Sequence, residues 1–345
     1  MDTQELYSRF LDAFQTPAFI VQNGTIICGN KIMETIPIEY GTPIKPLLGP
    51  CKDAYKRMPT LSRLCLTVTI NKVPYNASVV RTTNYDLFHL ESRSPDPALE
   101  ALTKAAVNFR RPLSEAMLSA EQMEGPNGQA LRRNLYQLHR STCIMSDAGA
   151  YAHRHRPMLS LHNIKELISK IVNDSSSVLD KSGIKLDFHC KGADVIGAVD
   201  KEKLERAVLN MICNAVRNNN SAFPITVKLT CTKLRIKLAV QYTTGISGIS
   251  YKQMLEAAQY TTDFGANESL PHLDMIIIRG VAFAHKGTLL LSYPPENKAC
   301  MTLEFPVSNK RKNLLRSNVL YPVDYAGGYD HILTELADVL TADVF

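Results

Sequence analysis

The sequence predicts an α+β protein with several domains, and three observations lead to this fold class. The chain has 345 residues, and at roughly 150 residues per domain this length allows two or three units that each bury a core. β-Branched runs separated by turn residues fill the first part, heptad-like apolar spacing follows, and helical and strand patterns then alternate. We expect domains at 1–93, 97–150 and 157–308, and a separate tail at 309–345.

Composition and charge narrow the class further. Hydrophobic residues make up 45% of the chain, as in soluble globular proteins, and no apolar run approaches the roughly 20 residues that cross a bilayer. The start MDTQELYSRF lacks the basic region of a signal peptide, and eight cysteines without a C-x-x-C pair indicate reduced thiols. We therefore expect a cytoplasmic protein that does not enter a membrane. The dispersed net charge of +6 does not favour nucleic-acid binding.

The first 92 residues have the pattern of a small α+β domain. An apolar helical face ends at Pro17, and Asn23-Gly24 lies between alternating apolar residues, which is a strong hairpin signal. Three β-branched runs, LCLTVTI, YNASVVRT and YDLFHLE, follow and are separated by turn residues at 71–74 and 83–84. This order of elements resembles a PAS sensor domain. Such domains can hold a ligand behind the sheet, but neither His89 nor Cys51 has the sequence surroundings of a haem or flavin site, so a structural role such as dimerisation is favoured.

Two helices with a heptad-like seam are predicted after the proline-containing linker at 94–97, with GPNG at 125–128 separating them. The seam positions are Leu102, Ala106, Phe109, Leu113, Met117 and Ala120 on the first helix and Leu131, Leu135, Leu138, Thr142 and Met145 on the second. Because one chain cannot cover this seam fully, we expect a dimeric four-helix bundle and hence a homodimer.

A further helix at 199–217, VDKEKLERAVLNMICNAVR, carries Asn210 and Asn214 one turn apart beside an apolar stripe. Such a pair could hold a hydrated magnesium ion and nucleotide phosphates, with Arg217 supplying charge. Spacing alone favours the alternative that both amides are capped or solvated, because magnesium usually also needs a carboxylate or phosphates.

The same helix resembles the N box of the sensor histidine kinases, D-x-x-x-L-x-x-x-x-x-N-x-x-x-N-A-x-K/R. The matching residues are Asp200, Leu204, Asn210, Asn214, Ala215 and Arg217. The resemblance covers roughly residues 5–308, because a PAS-like domain, a helical hairpin and an ATPase-like domain follow one another in the family's order. It implies that Asn214 binds magnesium and that Arg217 lies near the phosphates, which makes ATP and magnesium candidate cofactors. It also implies a response regulator or another signalling protein as a partner.

The hairpin departs from the family at the phosphoacceptor. The family motif H-E-x-R-T-P-L corresponds to VNFRRPL at 107–113, where the arginine, the proline and the leucine match; the kink that Pro112 would produce is expected to persist. The acceptor histidine is replaced by Val107 and the neighbouring acid by Asn108. Valine has no nucleophile, so autophosphorylation at this place is excluded. His139 on the second helix has no carboxylate near it in the sequence, and we interpret it as a solvated histidine.

The third domain resembles the ATPase domain shared by histidine kinases, gyrases and heat-shock chaperones, and predicts an antiparallel sheet with helices on one face. The family's D-x-G-x-G-I motif, in which the aspartate binds the adenine, corresponds to TTGISGI here. Thr244 or Thr243 stands at the position of that aspartate. The phosphate-binding glycines correspond to LPHLDM at 270–275, which contains no glycine and in which Asp274 would oppose phosphate charge. HKGT at 285–288 still matches H-G-G-T, for reasons of packing and turn geometry. The remaining candidate nucleotide-binding residues are Asn210, Asn214, Arg217 and Gly248, with Asn214 as the magnesium ligand if a nucleotide binds.

These losses lead to three functional hypotheses. The favoured one is a pseudo-histidine kinase: a dimeric regulatory or interaction protein in which the sensor-like module biases the hairpin and the ATPase-like domain is a docking surface. The second is an ATP-binding enzyme with residual ATPase or phosphotransfer activity. The third is a scaffold without signal input. No catalytic residue is assigned, and the question whether the chain is an enzyme stays open between the first two hypotheses.

Two segments outside these patterns carry predictions of their own. HRHR at 153–156 is interpreted as a solvated linker, with contact to an acidic partner, a pH response or metal binding as alternatives. The tail contains an amphipathic helix within HILTELADVLTADVF at 331–345. A helix that packs on the core is favoured, and docking over the vacated nucleotide site, in the same chain or in the partner subunit, is the alternative.

Overall fold

The structure of the protein, a computed structural model, describes residue 7 and residues 9–36, 38–91, 97–152, 157–244, 273–292, 297–307 and 326–345. Within these residues the strands are β1 Ala18–Gln22, β2 Thr25–Gly29, β3 Ser62–Ile70, β4 Val73–Arg81, β5 Asp86–Leu90, β6 Ser160–Asn163, β7 Leu186–Gly192, β8 Ile196–Val199, β9 Ile225–Cys231, β10 Arg235–Thr243, β11 Thr288–Ser292 and β12 Lys298–Pro306. The α-helices are α1 Lys52–Lys56, α2 Pro97–Glu121, α3 Gly125–Ala152, α4 Ile164–Lys181, α5 Lys201–Asn218, α6 Leu273–Ala284 and α7 His331–Leu336. The predicted α+β class is confirmed.

The first five strands form an antiparallel sheet in the order β2, β1, β5, β4, β3. Hairpin β1–β2 turns at Asn23 and Gly24, whose φ angles of 52° and 78° are those a type I′ turn needs. Hairpin β3–β4 turns at Asn71 and Lys72, which also have positive φ. Pro74 lies inside β4, so this turn is shorter than the predicted segment 71–74.

Side chains pack on both faces of this sheet. On one face the rings of Phe19 and Phe88 stack with their centroids 4.8 Å apart, and Cys51 is buried in the same cluster. On the other face Phe14, from the residues before β1, packs against β1 and β5. His89 of β5 is buried, and its ring contacts the hydroxyl of Thr16. His89 and Cys51 therefore belong to the packed interior of the domain.

Helices α2 and α3 form the predicted hairpin, but the break between them differs from the expectation. It falls at residues 122–124, and α3 begins at Gly125, so that GPNG forms the first turn of α3. A Cβ at Gly128 would lie 2.3 Å from the carbonyl oxygen of Met123, which explains why a glycine closes this turn. Pro112 lies inside α2.

Only part of the predicted seam is buried within the chain. The buried positions are Ala106, Leu113, Met117, Ala120 and Thr142. The exposed ones are Phe109, Leu131 and Leu138, and beside them Val107 and Leu118 are exposed as well. The hairpin therefore presents apolar side chains that no other described part of the chain covers.

In the third domain α4, α5 and α6 pack against strands in the order β11, β12, β10, β9, β7. Strands β9 to β12 pair antiparallel, but β7 runs parallel to β9, with Leu186 opposite Ile225. The prediction of an antiparallel sheet is therefore wrong in this detail, and the sheet is mixed. A parallel pair is possible here because the connection from β7 to β9 passes through α5.

The sheets of the first and third domains are joined. Strand β3 pairs with β11, so that ten strands form one sheet. Side chains cross the junction: Leu290 of β11 packs against the core of the first domain, and Cys65 of β3 lies in the core of the third. Glu304 of β12 accepts hydrogen bonds from Arg57 at 3.2 Å and from Arg235 at 2.6 Å. The sequence patterns did not predict this junction.

The end of the chain also packs on the third domain. Asp330 caps α7 by accepting the N–H of Leu333 at 2.8 Å, and Leu336 and Leu340 are buried in the domain core. We call residues 326–345 the docked tail. All eight cysteines are free thiols, six of them buried. None of the helices that the structure describes combines the length and the apolarity that crossing a membrane requires.

Candidate functional site

The candidate site is built on α5, whose first turn is fixed by Asp200. One oxygen of the Asp200 carboxylate accepts the N–H of Lys203 at 3.2 Å, as a helix cap does, and the other accepts the N–H of Met158 at 2.8 Å. The backbone N–H of Asp200 donates to Nε2 of His285 at 3.1 Å. The apolar stripe of α5 then packs into the domain core, which sets the direction of the remaining polar side chains.

Asn210 is fully buried, with 0% of the residue exposed. Its Nδ2 donates to the carbonyl oxygen of Arg206 at 2.9 Å and to the Glu335 carboxylate at 3.0 Å, and its Oδ1 accepts from Arg140 Nη2 at 2.7 Å. A carboxamide has two N–H donors and one oxygen, so each of these groups is used within the chain. Of the two structural alternatives for Asn210, a capped or a solvated amide, the solvated one is therefore wrong.

Arg140 of α3 joins three parts of the molecule. Its Nη2 binds Asn210 of α5 and Asp274 of α6, at 2.7 Å and 2.9 Å. Its Nη1 donates to Asp338 at 2.8 Å and its Nε to the carbonyl oxygen of Glu335 at 2.8 Å, both in the docked tail. Only 3% of its side chain is exposed. The guanidinium thus connects the helical hairpin, the third domain and the tail at one buried point.

Arg206 lies one turn before Asn210 and is also fully buried. Its Nε donates to the Glu335 carboxylate at 2.8 Å, and its Nη1 contacts the carboxylate of Asp147 from α3. Lys203 reaches the same Asp147 at 3.2 Å. A buried guanidinium needs such partners, because removing a charge from water is costly unless it is paired.

Arg217 lies at the C-terminal end of α5. Its Nη2 donates to Asp274 at 2.8 Å and to Asp338 at 2.9 Å. Asp274 is 2% exposed and binds Arg140 as well. The residue predicted to lie near phosphates is therefore neutralised by two carboxylates of the chain itself.

The other predicted site residues lie outside this network. Asn214 is partly exposed, and its amide contacts Asn218, whose Nδ2 lies 3.4 Å from Oδ1 of Asn214 and 2.8 Å from its carbonyl oxygen. Thr243 ends β10, where its N–H donates to Asn219 at 2.9 Å. Gly248, residues 270–272 of the glycine-less motif and the basic run at 153–156 lie outside the described residues.

The docked tail contacts α3 along several turns. His139 is buried, its Nε2 donates to the carbonyl oxygen of Ala326 at 3.0 Å, and its ring packs edge-on against Tyr329. Burial lowers the pKa of His139 from its ordinary value. The interpretation of His139 as a solvated histidine is therefore wrong, because the tail covers it. Arg132 donates to the carbonyl oxygen of Phe345 at 2.6 Å.

With the tail docked, these residues do not fit a magnesium nucleotide. Asn210 is fully buried, with its amide nitrogen and oxygen both engaged inside the chain, and phosphates near Arg217 would meet the carboxylates of Asp274 and Asp338. Among the residues that the structure describes, no three or more His, Cys, Asp or Glu side chains form a metal-binding group. The arrangement binds a carboxylate-bearing segment of the same chain.

Sequence reasoning missed the residues that dominate this site. Arg140, Arg206, Glu335 and Asp338 were not singled out. Glu335 and Asp338 lie three residues apart on the predicted tail helix, a spacing that places both on one face. This pair of acids on one side of the predicted helix is the one sequence signal that pointed to a basic counterpart.

Comparison with solved structures returns histidine kinases. The histidine kinase ThkA in complex with the response regulator protein TrrA is 12% identical, and the match covers 90% of this chain and 100% of that chain with a TM-score of 0.43. Full-length ShkA in complex with AMPPNP is 19% identical, with coverages of 61% and 46% and a TM-score of 0.46. AdeS from Acinetobacter baumannii is 13% identical, with coverages of 60% and 97% and a TM-score of 0.42.

No protein-family model matches the sequence, and no curated protein sequence matches it. The chain is thus similar to histidine kinases in the comparison of structures. The bound nucleotide analogue and the response regulator are features of those other complexes.

Proposed function

We propose that this chain is a pseudo-histidine kinase, a dimeric regulatory or interaction protein of the cytoplasm that does not phosphorylate itself at the usual place. The observation that carries the proposal is the state of Asn210: its donors and its acceptor are engaged by Arg206, Glu335 and Arg140 at 2.7–3.0 Å inside the protein. An asparagine held in this way is a structural element of the core and is not available to a ligand.

The hairpin supports the same conclusion. Val107, at the position that corresponds to the phosphoacceptor, is 54% exposed on α2. Its side chain is accessible, yet it has no atom that can attack a phosphoryl group. The position is therefore accessible, but its side chain lacks the nucleophile that phosphorylation needs.

The electrostatics around α5 point in the same direction. Asp274 begins α6, and Glu335 and Asp338 come from the tail, so that three carboxylates surround Arg140. Bound phosphates would add further negative charge to this buried group, where like charges repel strongly. The ATPase-like domain in this state is a docking surface for its own tail.

A homodimer is part of the proposal. The exposed apolar side chains of the hairpin, among them Phe109, Leu118 and Leu138, would be covered by a second copy in a four-helix bundle. A response regulator or another signalling protein is the proposed partner of this dimer, and the PAS-like domain is the proposed source of the signal. The third hypothesis, a scaffold without signal input, keeps the dimer and its partner. It differs from the regulatory protein in that no ligand binds the PAS-like domain.

A second candidate function is an ATP-binding enzyme with residual ATPase or phosphotransfer activity. It is favoured by Asn214, which is partly exposed and lies outside the buried network, and by Arg217, of which 26% of the side chain is exposed. These two residues would hold magnesium and phosphate in this function, with Gly248 near the base.

Titration calorimetry with ATP and magnesium, run on the full chain and on Asn214→Ala, separates the two functions. The pseudokinase predicts no heat that depends on Asn214, so the two proteins should give the same titration. Heat in the full chain that disappears in Asn214→Ala would favour the ATP-binding function.

Transfer of labelled γ-phosphate is the second test, and Val107→His is the informative variant. We expect no labelling of the native chain and none of Val107→His, because the nucleotide side is blocked as well as the acceptor. Labelling of the native chain would exclude the pseudokinase. Labelling of Val107→His alone would show a working ATPase-like domain and favour the second function.

A further inference from the structure

The docked tail lies against three arginines, Arg140 of α3 and Arg206 and Arg217 of α5, which we call the arginine cluster. We propose that the docked tail is an intramolecular plug that competes with phosphate-bearing polyanions for the arginine cluster. This proposal deepens the proposed function and rests on it, because it takes the state with the tail docked as the resting state of the protein. It adds that the block is made by residues 326–345 and is reversible.

The charges of the cluster support an anionic ligand. Two carboxylates of the folded domains, Asp147 and Asp274, are shared by the three guanidinium groups, and the tail adds Glu335 and Asp338. Without the tail, the three guanidinium groups, together with Lys203 on Asp147, would face two carboxylates. The planar donor fork of a guanidinium matches phosphate oxygens as well as carboxylate oxygens, so a polyphosphate can replace what the tail supplies.

Two features of the tail oppose its docking. Thr334 is 0% exposed, and its hydroxyl has no hydrogen-bond partner in the described residues. A buried hydroxyl without a partner opposes docking. Helix α7 has six residues, too few for a helix that is stable alone, so the tail folds only against the cleft. Apolar burial of Leu336 and Leu340 must offset both costs.

The outer side of the cluster is where a competing anion can enter. The side chains of Arg217 and Asp338 are 26% and 30% exposed, whereas those of Arg140 and Glu335 are 3% and 0% exposed. An anion can therefore meet Arg217 from solvent and displace the Asp338 carboxylate first. Loss of that contact also removes a partner of Arg140, which loosens the inner part of the tail.

The test uses the full chain with a fluorescent reporter in the tail. The sequence contains no tryptophan, and the ring of Phe345 lies 5.1 Å from that of Tyr136, so Phe345→Trp reports on docking through its emission. In this background Asp338→Asn removes a charge that contacts the cluster. Asp343→Asn is the matched control, because it removes the same charge from an exposed position of the same tail. The probes are inorganic tripolyphosphate, ATP without magnesium, and citrate.

We expect tripolyphosphate and ATP to shift the tryptophan emission to longer wavelength as the tail leaves. The probe concentration at half-saturation should fall at least about tenfold in Asp338→Asn, because a more weakly docked tail raises the fraction of binding-competent molecules. The same concentration should stay unchanged in Asp343→Asn. A larger effect of ATP than of tripolyphosphate would assign the site to nucleotides, and equal effects would assign it to phosphate groups in general.

Three results would overturn the inference: binding of either probe without a change in emission, equal half-saturation in the two variants, or equal displacement by citrate. Absence of any binding to Asp338→Asn would overturn it as well and would leave the pseudokinase proposal intact. Phosphate transfer by the native chain would instead exclude the pseudokinase while leaving the competition measurable. Because Asp338 is partly exposed, the variant should fold, and proteolytic release of the tail peptide at limiting protease gives a second readout of undocking.

Discussion

The side-chain oxygen of Asn210 lies 2.7 Å from Nη2 of Arg140, and through this hydrogen bond the helical hairpin contacts the helix that resembles the N box. The two residues are 70 positions apart in the chain. Any rotation of the third domain against the hairpin would have to break this contact. Since both side chains are almost completely buried, the bond holds the hairpin and the domain in one orientation.

The first prediction concerns Arg140 itself. Arg140→Met keeps an unbranched apolar side chain and removes the guanidinium group, which leaves the carboxylates of Asp274 and Glu335 with one cation fewer in a buried place. Breaking one partner of a buried ion pair typically costs about 3–5 kcal/mol, and we expect a loss of stability of that size in urea denaturation.

The control is Arg111→Met on α2. Arg111 pairs with Glu115 at 2.9 Å, but both side chains are largely exposed, at 89% and 63%. Exposed ion pairs contribute little to the free energy of unfolding, so this variant should unfold at a urea concentration close to the midpoint of the native chain. Equal shifts in both variants would show that the Arg140 contacts carry no more stability than a surface pair.

The second prediction compares two neighbouring positions in the turn before β11. Lys286 has a φ of +55°, a conformation that costs a residue other than glycine roughly 1–2 kcal/mol. Lys286→Gly should therefore stabilise the protein by about 0.5–1 kcal/mol once the greater freedom of unfolded glycine is counted. The family motif has glycine at this position.

Gly287 provides the opposite case. A Cβ there would lie 2.3 Å from the carbonyl oxygen of Glu304 on β12, so Gly287→Ala should destabilise the protein by about 1–3 kcal/mol, as overpacking does. Thermal unfolding of both variants measures the two effects. A destabilised Lys286→Gly or a neutral Gly287→Ala would contradict the turn geometry.

The third prediction concerns pH. Burial, together with the nearby Arg63 and Arg279, lowers the pKa of His89 to about 3. The unfolded chain binds a proton at this residue near pH 6.5, and the folded chain does so only near pH 3. Stability should therefore be complete above about pH 6.5 and fall as the pH decreases towards 3, by up to about 1.4 kcal/mol per pH unit. Burial also lowers the pKa values of His139 and His285. All three histidines therefore make the folded state less stable as the pH falls.

Denaturation by urea at pH 7.5, 6.0 and 5.0 tests this dependence. His89→Gln removes the titrating group, so its stability should depend less on pH than that of the native chain. His189→Gln changes an exposed histidine on β7 and should keep the native slope. An unchanged slope in His89→Gln would assign the acid sensitivity to other groups.

Local sequence patterns predicted the parts of the fold that depend on local interactions. The apolar period of α5 repeats with each turn of the helix, and Asn23 and Gly24 form the turn between two consecutive strands. These features could be found because their physical cause is a short segment of chain.

Other features depend on contacts between distant segments. Arg140 and Glu335 are 195 residues apart, and nothing around Arg140 in the sequence distinguishes it from a solvated helical arginine. His139 was misjudged for the same reason, since its cover comes from Ala326 and Tyr329. The pairing of β3 with β11 uses backbone groups at two sheet edges, and these carry no residue-specific signature.

The last prediction concerns the homodimer. Leu118 is 60% exposed on α2 and Leu138 50% exposed on α3. In a symmetric dimer each substituted position occurs twice, so a glutamate at either place would be buried in both copies. At about 1.4 kcal/mol per copy, the dissociation constant should rise roughly 100-fold for Leu118→Glu and for Leu138→Glu.

Sedimentation equilibrium of the two variants measures this change, and Leu234→Glu is the control. Leu234 is 77% exposed in the turn between β9 and β10, away from the hairpin, so its substitution should leave the dimer intact. A native chain that sediments as a monomer would exclude the homodimer outright. A dimer weakened by Leu234→Glu and not by the hairpin variants would move the interface to the ATPase-like domain, and the exposed apolar side chains of α2 and α3 would then be available to a different protein.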